Sequence, residues 1–514
     1  MIKMIVLFLL VLFLLSSCGR QPDVPEYVSE EILEGDEIIT EYLPEDNSLD
    51  EPEYEYEPEP EPETEPEYKP KPESEYKPEP EPLPIPNVPC FNHGNEEHIE
   101  YDFPLPLELV AQFFAEHCAL ATADAGYLWG RSLHTPFIFL HTETRRIVAN
   151  QPDSLGILTR TGNVYTGTLP EQFPAMYSFP RIGDRQWAML PWRELFGVDG
   201  HVPLRSMAHM SMHVHQSFIF GTAGGWDNGH MENKTARILI QLEANALVYA
   251  LGATGEGRYN AIHDALAIRA ERRRLFPGGA RSENIFEVFE GLTDYTDIRM
   301  SGLDRNEIIN DREVVALSMR YQPTLSGIFG YVTGSLYGFL LDEVGSYWRG
   351  DVRFGVDLGR MLADSLGITD LAAFDDIDLM PYRYDEVMEF ETERHQAHER
   401  MLSDIREAFT TQPTLRISNA LASGPMQINP ARNFPITGLG TAHGGPTVII
   451  SGDFGYLTVY DGFFVRRDGA NDGMVVATDM ITDGNRFTAP GWILELNSGF
   501  RLRNQSGHYI VERE

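Results

Sequence analysis

Hydrophobic and polar positions change their rhythm three times along this chain, and each change marks a different kind of structure. Residues 126–195 alternate apolar and polar positions between Gly and Asn turns, as in Phe137-Ile-Phe-Leu-His-Thr and Gly162-Asn-Val-Tyr-Thr-Gly. A period of two predicts strands, here a small antiparallel sheet. Residues 203–411 follow the 3.6-residue period of amphipathic helices. Helices are expected over Pro203–Phe220, Thr235–Leu251, Tyr259–Phe276 and Glu283–Tyr295. From Thr414 short strand patterns return, in Thr447-Val-Ile-Ile-Ser, Tyr456-Leu-Thr-Val-Tyr, Phe463-Phe-Val-Arg-Arg and Gly491-Trp-Ile-Leu-Glu-Leu. The expected fold class is α+β: a small N-terminal antiparallel sheet, a helical centre and a C-terminal β-rich module.

Before the first strand the chain does not read as a packed domain. Lys3 precedes the apolar run Ile5–Leu15, and Leu15-Ser-Ser-Cys18 follows. Eleven apolar residues are too few to span a bilayer, so a signal peptide over residues 1–17 is expected. A Cys directly after small residues resembles the lipobox of bacterial lipoproteins. That resemblance implies acylation of Cys18 (palmitate among the chains) and an extracytoplasmic protein anchored to the cell membrane or outer membrane.

Residues 21–90 carry 24 acidic residues against three lysines, within a chain whose net charge is −38. Repeated Glu-Pro, as in Glu57-Pro-Glu-Pro-Glu-Pro62, builds no core, because proline breaks helix and sheet while like charges repel. Residues 18–90 therefore read as a lipidated Cys and a disordered stalk. Its 39 residues from Glu51 to Pro89 reach on the order of 100 Å in extended, polyproline-like form. The acidity argues against a nucleic-acid partner. About 420 residues remain, read as a domain over 91–411 and the β-rich module over 412–514. Cys90 and Cys118 are the only cysteines after Cys18, and in an oxidising compartment they are candidates for a disulfide.

Candidate chemistry concentrates in Met207-Ala-His-Met-Ser-Met-His-Val-His-Gln216. His209 and His213 are four residues apart, so on a helix both imidazoles face one point and can share a metal ion. In the His-Glu-x-x-His arrangement the Glu after the first His activates a metal-bound water. Here Met210 stands in that place, and a thioether accepts no proton. His215 points elsewhere. Two carboxylates are candidates for the third ligand. Glu243 sits in an apolar helix face, Ile238-Leu-Ile-Gln-Leu-Glu-Ala-Asn-Ala-Leu247, where burial demands a cation, a metal or hydrogen bonds. Its alternative partner would be an arginine such as Arg237. On the helical pattern alone, Glu290 is an exposed position of an amphipathic helix. Glu290-Gly-Leu-Thr-Asp-Tyr295, however, resembles the helix that gives aminopeptidase-like zincins their third ligand, and that resemblance makes Glu290 the favoured candidate.

Several segments, in order, are similar to a poorly characterised family of bacterial secreted or lipoprotein zincin-like proteins (gluzincin-type, metallopeptidase-like). They are Leu128-Trp-Gly130, Thr144-Arg-Arg-Ile-Val-Ala-Asn150, Gly229-His230, Leu242-Glu-Ala-Asn-Ala-Leu247, Glu290-Gly-Leu-Thr-Asp-Tyr295 and Tyr331-Val-Thr-Gly-Ser-Leu-Tyr-Gly-Phe-Leu-Leu-Asp342. The resemblance implies a zincin-like central region with His209, His213 and a downstream Glu as zinc ligands. The departure is Met210, and Ser211 beside it is no substitute base. Loss of general-base catalysis removes a factor of about 10² to 10⁴ in rate. The expectation is a degenerate metallopeptidase, a pseudoenzyme that binds or scaffolds a peptide, protein or envelope polymer. The alternative is an active zinc-dependent hydrolase with a non-standard base, a carboxylate such as Asp227 or Glu232 that the fold would have to place near the metal-bound water.

Overall fold

The computed structural model describes residues 104–192, 202–345, 347–424, 426–428, 432–446 and 448–514. The expected signal peptide, the Cys18 lipidation site, the acidic stalk and Cys90 lie outside the described residues. Cys118 is disulfide-bonded. No helix among the described residues is long and apolar enough to cross a membrane.

Helix α1 (Leu107–Asp124) buries Val110, Phe113, Phe114, His117 and Ala121 at helical spacing and ends where Ala125 turns left-handed at φ 47°. It packs under a sheet of β1 (Phe137–Leu140), β2 (Arg146–Ala149), β3 (Thr159–Thr161), β4 (Val164–Thr168) and β7 (Ala188–Pro191), in the order β3-β4-β2-β1-β7. The pairings are antiparallel except that of β1 with β7, which is parallel. A short hairpin, β5 (Arg181–Ile182) and β6 (Arg185–Gln186), comes just before β7.

Strand β1 is buried on both faces. Phe137 and Phe139 join Phe113, Phe114, Met207, Met210 and Val214 in one apolar cluster. Ile138 and Leu140 face a second cluster around Trp187 and Met189. The sheet thus supplies a rigid floor for helix α2 (Val202–Ile219), the helix carrying the histidines.

The helical centre is built around α3 (Lys234–Gly252), whose Asn233 N-cap accepts from the Thr235 N–H. Around it lie α4 (Gly255–Leu275), α5 (Ala280–Phe286), α6 (Leu292–Met300), α7 (Arg305–Ser318), α8 (Phe329–Glu343) and α9 (Leu358–Leu366). Between α5 and α6 the chain does not break; residues Glu287–Gly291 form one π-helical turn.

Among the described residues, thirteen strands from Thr414–Ser418 to His508–Arg513 form a seven-stranded and a six-stranded sheet. Leu415, Val448, Leu457, Val475, Leu494 and Val511 meet in their common core. Helix α10 (Tyr384–Thr411) joins the two regions. Near its start Glu391 receives the buried guanidinium of Arg237 at 3.0 Å and the Gln241 amide at 2.8 Å, both from α3. Near its end Ile405 and Phe409 pack on Ile436, Val465 and Met474 of the seven-stranded sheet. Twenty-eight helical residues make a rod roughly 42 Å long.

Candidate metal centre

Helix α2 presents two faces. Met207, Met210 and Val214 press onto the sheet, while His209, His213 and Gln216 turn towards the π-turn and α6. What lies opposite is set by glycines. A Cβ on Gly291 would collide with the Gly330 carbonyl and the Gly334 Cα, and a Cβ on Gly334 would collide with the Glu287 carbonyl. A Cβ on Gly338 would lie 2.9 Å from the Tyr295 ring. A glycine stripe on α8 therefore lets the π-turn and α6 lie directly against it. This close approach fixes the height of Glu290 beside the histidines. π-turns inside α-helices occur frequently at functional sites.

Three ligand atoms converge there. His213 Nε2 lies 3.1 Å from His209 Nε2, and Glu290 Oε2 lies 3.3 Å from His213 Nε2 and 3.5 Å from His209 Nε2. All three residues are buried. A tetrahedral ion with bonds near 2.0–2.1 Å separates its ligands by about 3.4 Å, so the triangle has the dimensions of a metal face. The trio could hold a metal ion.

Hydrogen bonds on the far side of each ring strengthen this. His209 Nδ1 lies 3.1 Å from Asp297 Oδ2, and a carboxylate there makes Nδ1 the donor. His213 Nδ1 faces Gln216 Oε1 at 3.1 Å. That oxygen is the acceptor, because Gln216 Nε2 donates to the Phe289 carbonyl and, at 2.6 Å, to Thr293 Oγ1. With both protons on Nδ1, each neutral ring points a lone pair from Nε2 at the other and at Glu290. Glu290 Oε2 is buried without a hydrogen-bond partner. Three electron-rich atoms aimed at one point call for a cation or a proton.

Electrostatics show which group takes the proton when no ion is bound. Burial lowers the basicity of His209, but the hydrogen bond with Asp297 and the negative charges of Asp297 and Glu290 outweigh it and raise its pKa to about 9. Burial acts upward on Glu290, yet the neighbouring imidazoles bring it down to about 2. Arg205, one turn before His209, donates from Nε to Asp297 Oδ1 at 2.9 Å and from Nη1 to Asp311 at 3.1 Å. Tyr331 of α8 stacks on His209, with ring centroids 5.9 Å apart and planes 10° from parallel.

Of the two carboxylates considered from sequence, Glu290 joins the histidines and Glu243 does not. Glu243 is consumed by cations: Arg269 Nη1 lies 3.0 Å away, Arg272 forms a buried ion pair with it, and Tyr337 donates at 2.7 Å. Its partners are thus on α4 and α8, and Arg237 instead serves Glu391. Burial of Glu243 on an apolar face is explained by arginine, not metal.

Nor do the two rescue carboxylates reach the site. Glu232 Oε1 accepts from the Leu325 and Ser326 N–H groups at 2.9 Å, and exposed Asp227 accepts from its own loop at Gly229. Among the described residues, no further His, Cys, Asp or Glu forms part of the cluster. Met210 is fully buried in the apolar cluster on the sheet side, and Ser211 donates to the Leu133 carbonyl at 2.6 Å. His215 faces away, with Arg131 Nε donating to its Nδ1 at 3.0 Å.

Asp297, Gln216 and Arg205 were not singled out from sequence as site residues. Two had a signal in their spacing: Gln216 follows His213 by three, and Asp297 follows Glu290 by seven, or two helical turns.

No protein-family model, no curated protein and no solved structure matches this chain.

Proposed function

We propose that this chain is an extracytoplasmic lipoprotein, anchored through Cys18, whose zincin-like domain holds zinc at His209, His213 and Glu290. In this reading it binds a peptide, protein or envelope polymer without cleaving it. Two imidazoles and one carboxylate, each imidazole oriented from behind by Asp297 or Gln216, are a donor set suited to zinc. When bound, the ion would polarise an oxygen of the ligand.

The observation that carries the non-catalytic reading is Met210. A zincin keeps its base carboxylate one residue after the first histidine. This chain has there a thioether with no exposed surface, packed among Met207, Phe139 and Leu190. With Glu232 committed to a loop and Glu290 to the histidines, no group in the cluster is left to take a proton from water.

The experiment is a peptidase and esterase screen of the zinc-loaded full chain beside its His213→Ala variant. No turnover in either, with zinc present in the wild type, is the expected result. Turnover by the wild type that His213→Ala abolishes would establish an active hydrolase instead.

A further inference from the structure

All three side chains are nearly sealed, at 5% exposed for His213, 4% for Glu290 and 2% for His209, so the His213 edge is the thinnest cover over the trio. Three aromatic side chains from separate elements stand on that side. Phe179, just before β5, stacks on the His213 ring with centroids 5.8 Å apart and planes 27° from parallel. Phe289, from the π-turn, lies 4.8 Å from the same ring. Trp226, from the glycine-containing segment between α2 and α3, lies 5.0 Å from Phe289.

All three are half-buried, whereas every other tryptophan among the described residues is buried. Apolar surface left partly wet at the entrance to a polar centre is the arrangement expected of a ligand-binding mouth. Arg281 adds a positive charge nearby. Its guanidinium nitrogens come within 3.5–3.6 Å of where a Cβ on Gly224 would stand, two residues before Trp226.

We infer that this mouth receives an aromatic group attached to an anionic, metal-coordinating head. The oxygen-bearing head faces the point where His209, His213 and Glu290 would hold an ion, the ring lies against Phe179, Phe289 and Trp226, and Arg281 favours negative charge. The aromatic residue at the end of a peptide, with its carboxylate, has this chemistry. This inference rests on the metal reading above and adds to it the class of ligand.

The test compares phenylacetohydroxamate with acetohydroxamate, two probes that share a metal-binding head and differ in the ring, on the zinc-loaded full chain. Burying the ring should make the aromatic probe bind at least about tenfold tighter, and it should quench the emission of Trp226. Phe179→Ala and Trp226→Ala should each reduce that preference while zinc content stays at the wild-type level. The wild-type comparison needs no variant, so the inference stays testable if a variant folds poorly. Zinc present with equal affinity for the two probes would overturn this inference and leave the metal reading standing. A wild-type chain that takes up no zinc would overturn both.

Discussion

Replacing Gly334 by alanine tests whether the glycine stripe of α8 is what sets Glu290 at the metal centre. A Cβ at this position would lie 2.9 Å from the Gly291 Cα and closer still to the Glu287 carbonyl oxygen. Both obstacles are backbone atoms, so no side-chain rotation relieves the contact. Restoring ordinary separation moves the π-turn away from α8 by on the order of 0.5–1 Å, at a cost typical of overpacking, about 1–3 kcal/mol. Glu290 rides on that turn, so the ligand triangle distorts as stability falls. Disturbing the support of a metal ligand typically weakens affinity about 10–100-fold. Chelator-competition titration of zinc, with urea unfolding alongside, measures both effects. Gly257→Ala is the matched control. Its new methyl would meet nothing nearer than the Ala253 Cβ at 3.9 Å, in the first turn of α4, where alanine gains at most roughly 0.5–1 kcal/mol over glycine. Unchanged zinc affinity in Gly334→Ala would show that the helix crossing does not position Glu290.

Other outcomes follow from the same geometry. Asp297→Asn should weaken zinc binding about 10–100-fold through the orientation and basicity of His209, read by the same titration. Because the pKa of His209 is raised to about 9, zinc must displace a proton at neutral pH. Apparent affinity should rise between pH 6 and 9 by up to about tenfold per unit and level off above 9; a flat profile would contradict the hydrogen-bond assignment. Burial, with His134 and His215 nearby, lowers the pKa of His117 to about 3. Its folded form stays neutral while the unfolded chain takes up a proton below about pH 6.5. Its contribution is therefore intact above that pH and falls by on the order of 2 kcal/mol at pH 5. His117→Phe should flatten this slope in acid denaturation. Glu391→Gln removes the buried anion of Arg237, leaving it only exposed Glu232 at 3.5 Å, and should cost about 3 kcal/mol, the low end for a broken buried pair, measured by urea unfolding.

Periodicity in the sequence located the helix of His209 and His213, whose expected span of 203–220 compares with Val202–Ile219. It also located the α+β alternation and four of the strands described after Thr414. Glu290 was legible only through the resemblance carried by Glu290-Gly-Leu-Thr-Asp-Tyr295, since in the helical pattern alone it reads as an exposed position. The fate of Glu243 was not, because its arginines lie 26 and 29 residues downstream and only the packing of α4 brings them under α3. The π-turn left no mark in the pattern, since Glu283–Tyr295 reads as one continuous helix. What betrays it is the contact of Gly291 with Gly330 and Gly334, a property of two helices at once. The sheet's one parallel pairing was equally hidden. Residues 188–191 have the composition of any buried strand, and only the hairpin before them decides that they run alongside β1. Phe179 reaches His213 by the same route.

Elemental analysis of the purified full chain, wild type beside His209→Ala/His213→Ala and Glu290→Ala, tests the central claim most directly. About one zinc per chain in the wild type and none in the double variant, with Glu290→Ala much reduced, is the predicted result. A wild-type chain free of metal, or one whose metal survives loss of both histidines, would contradict it.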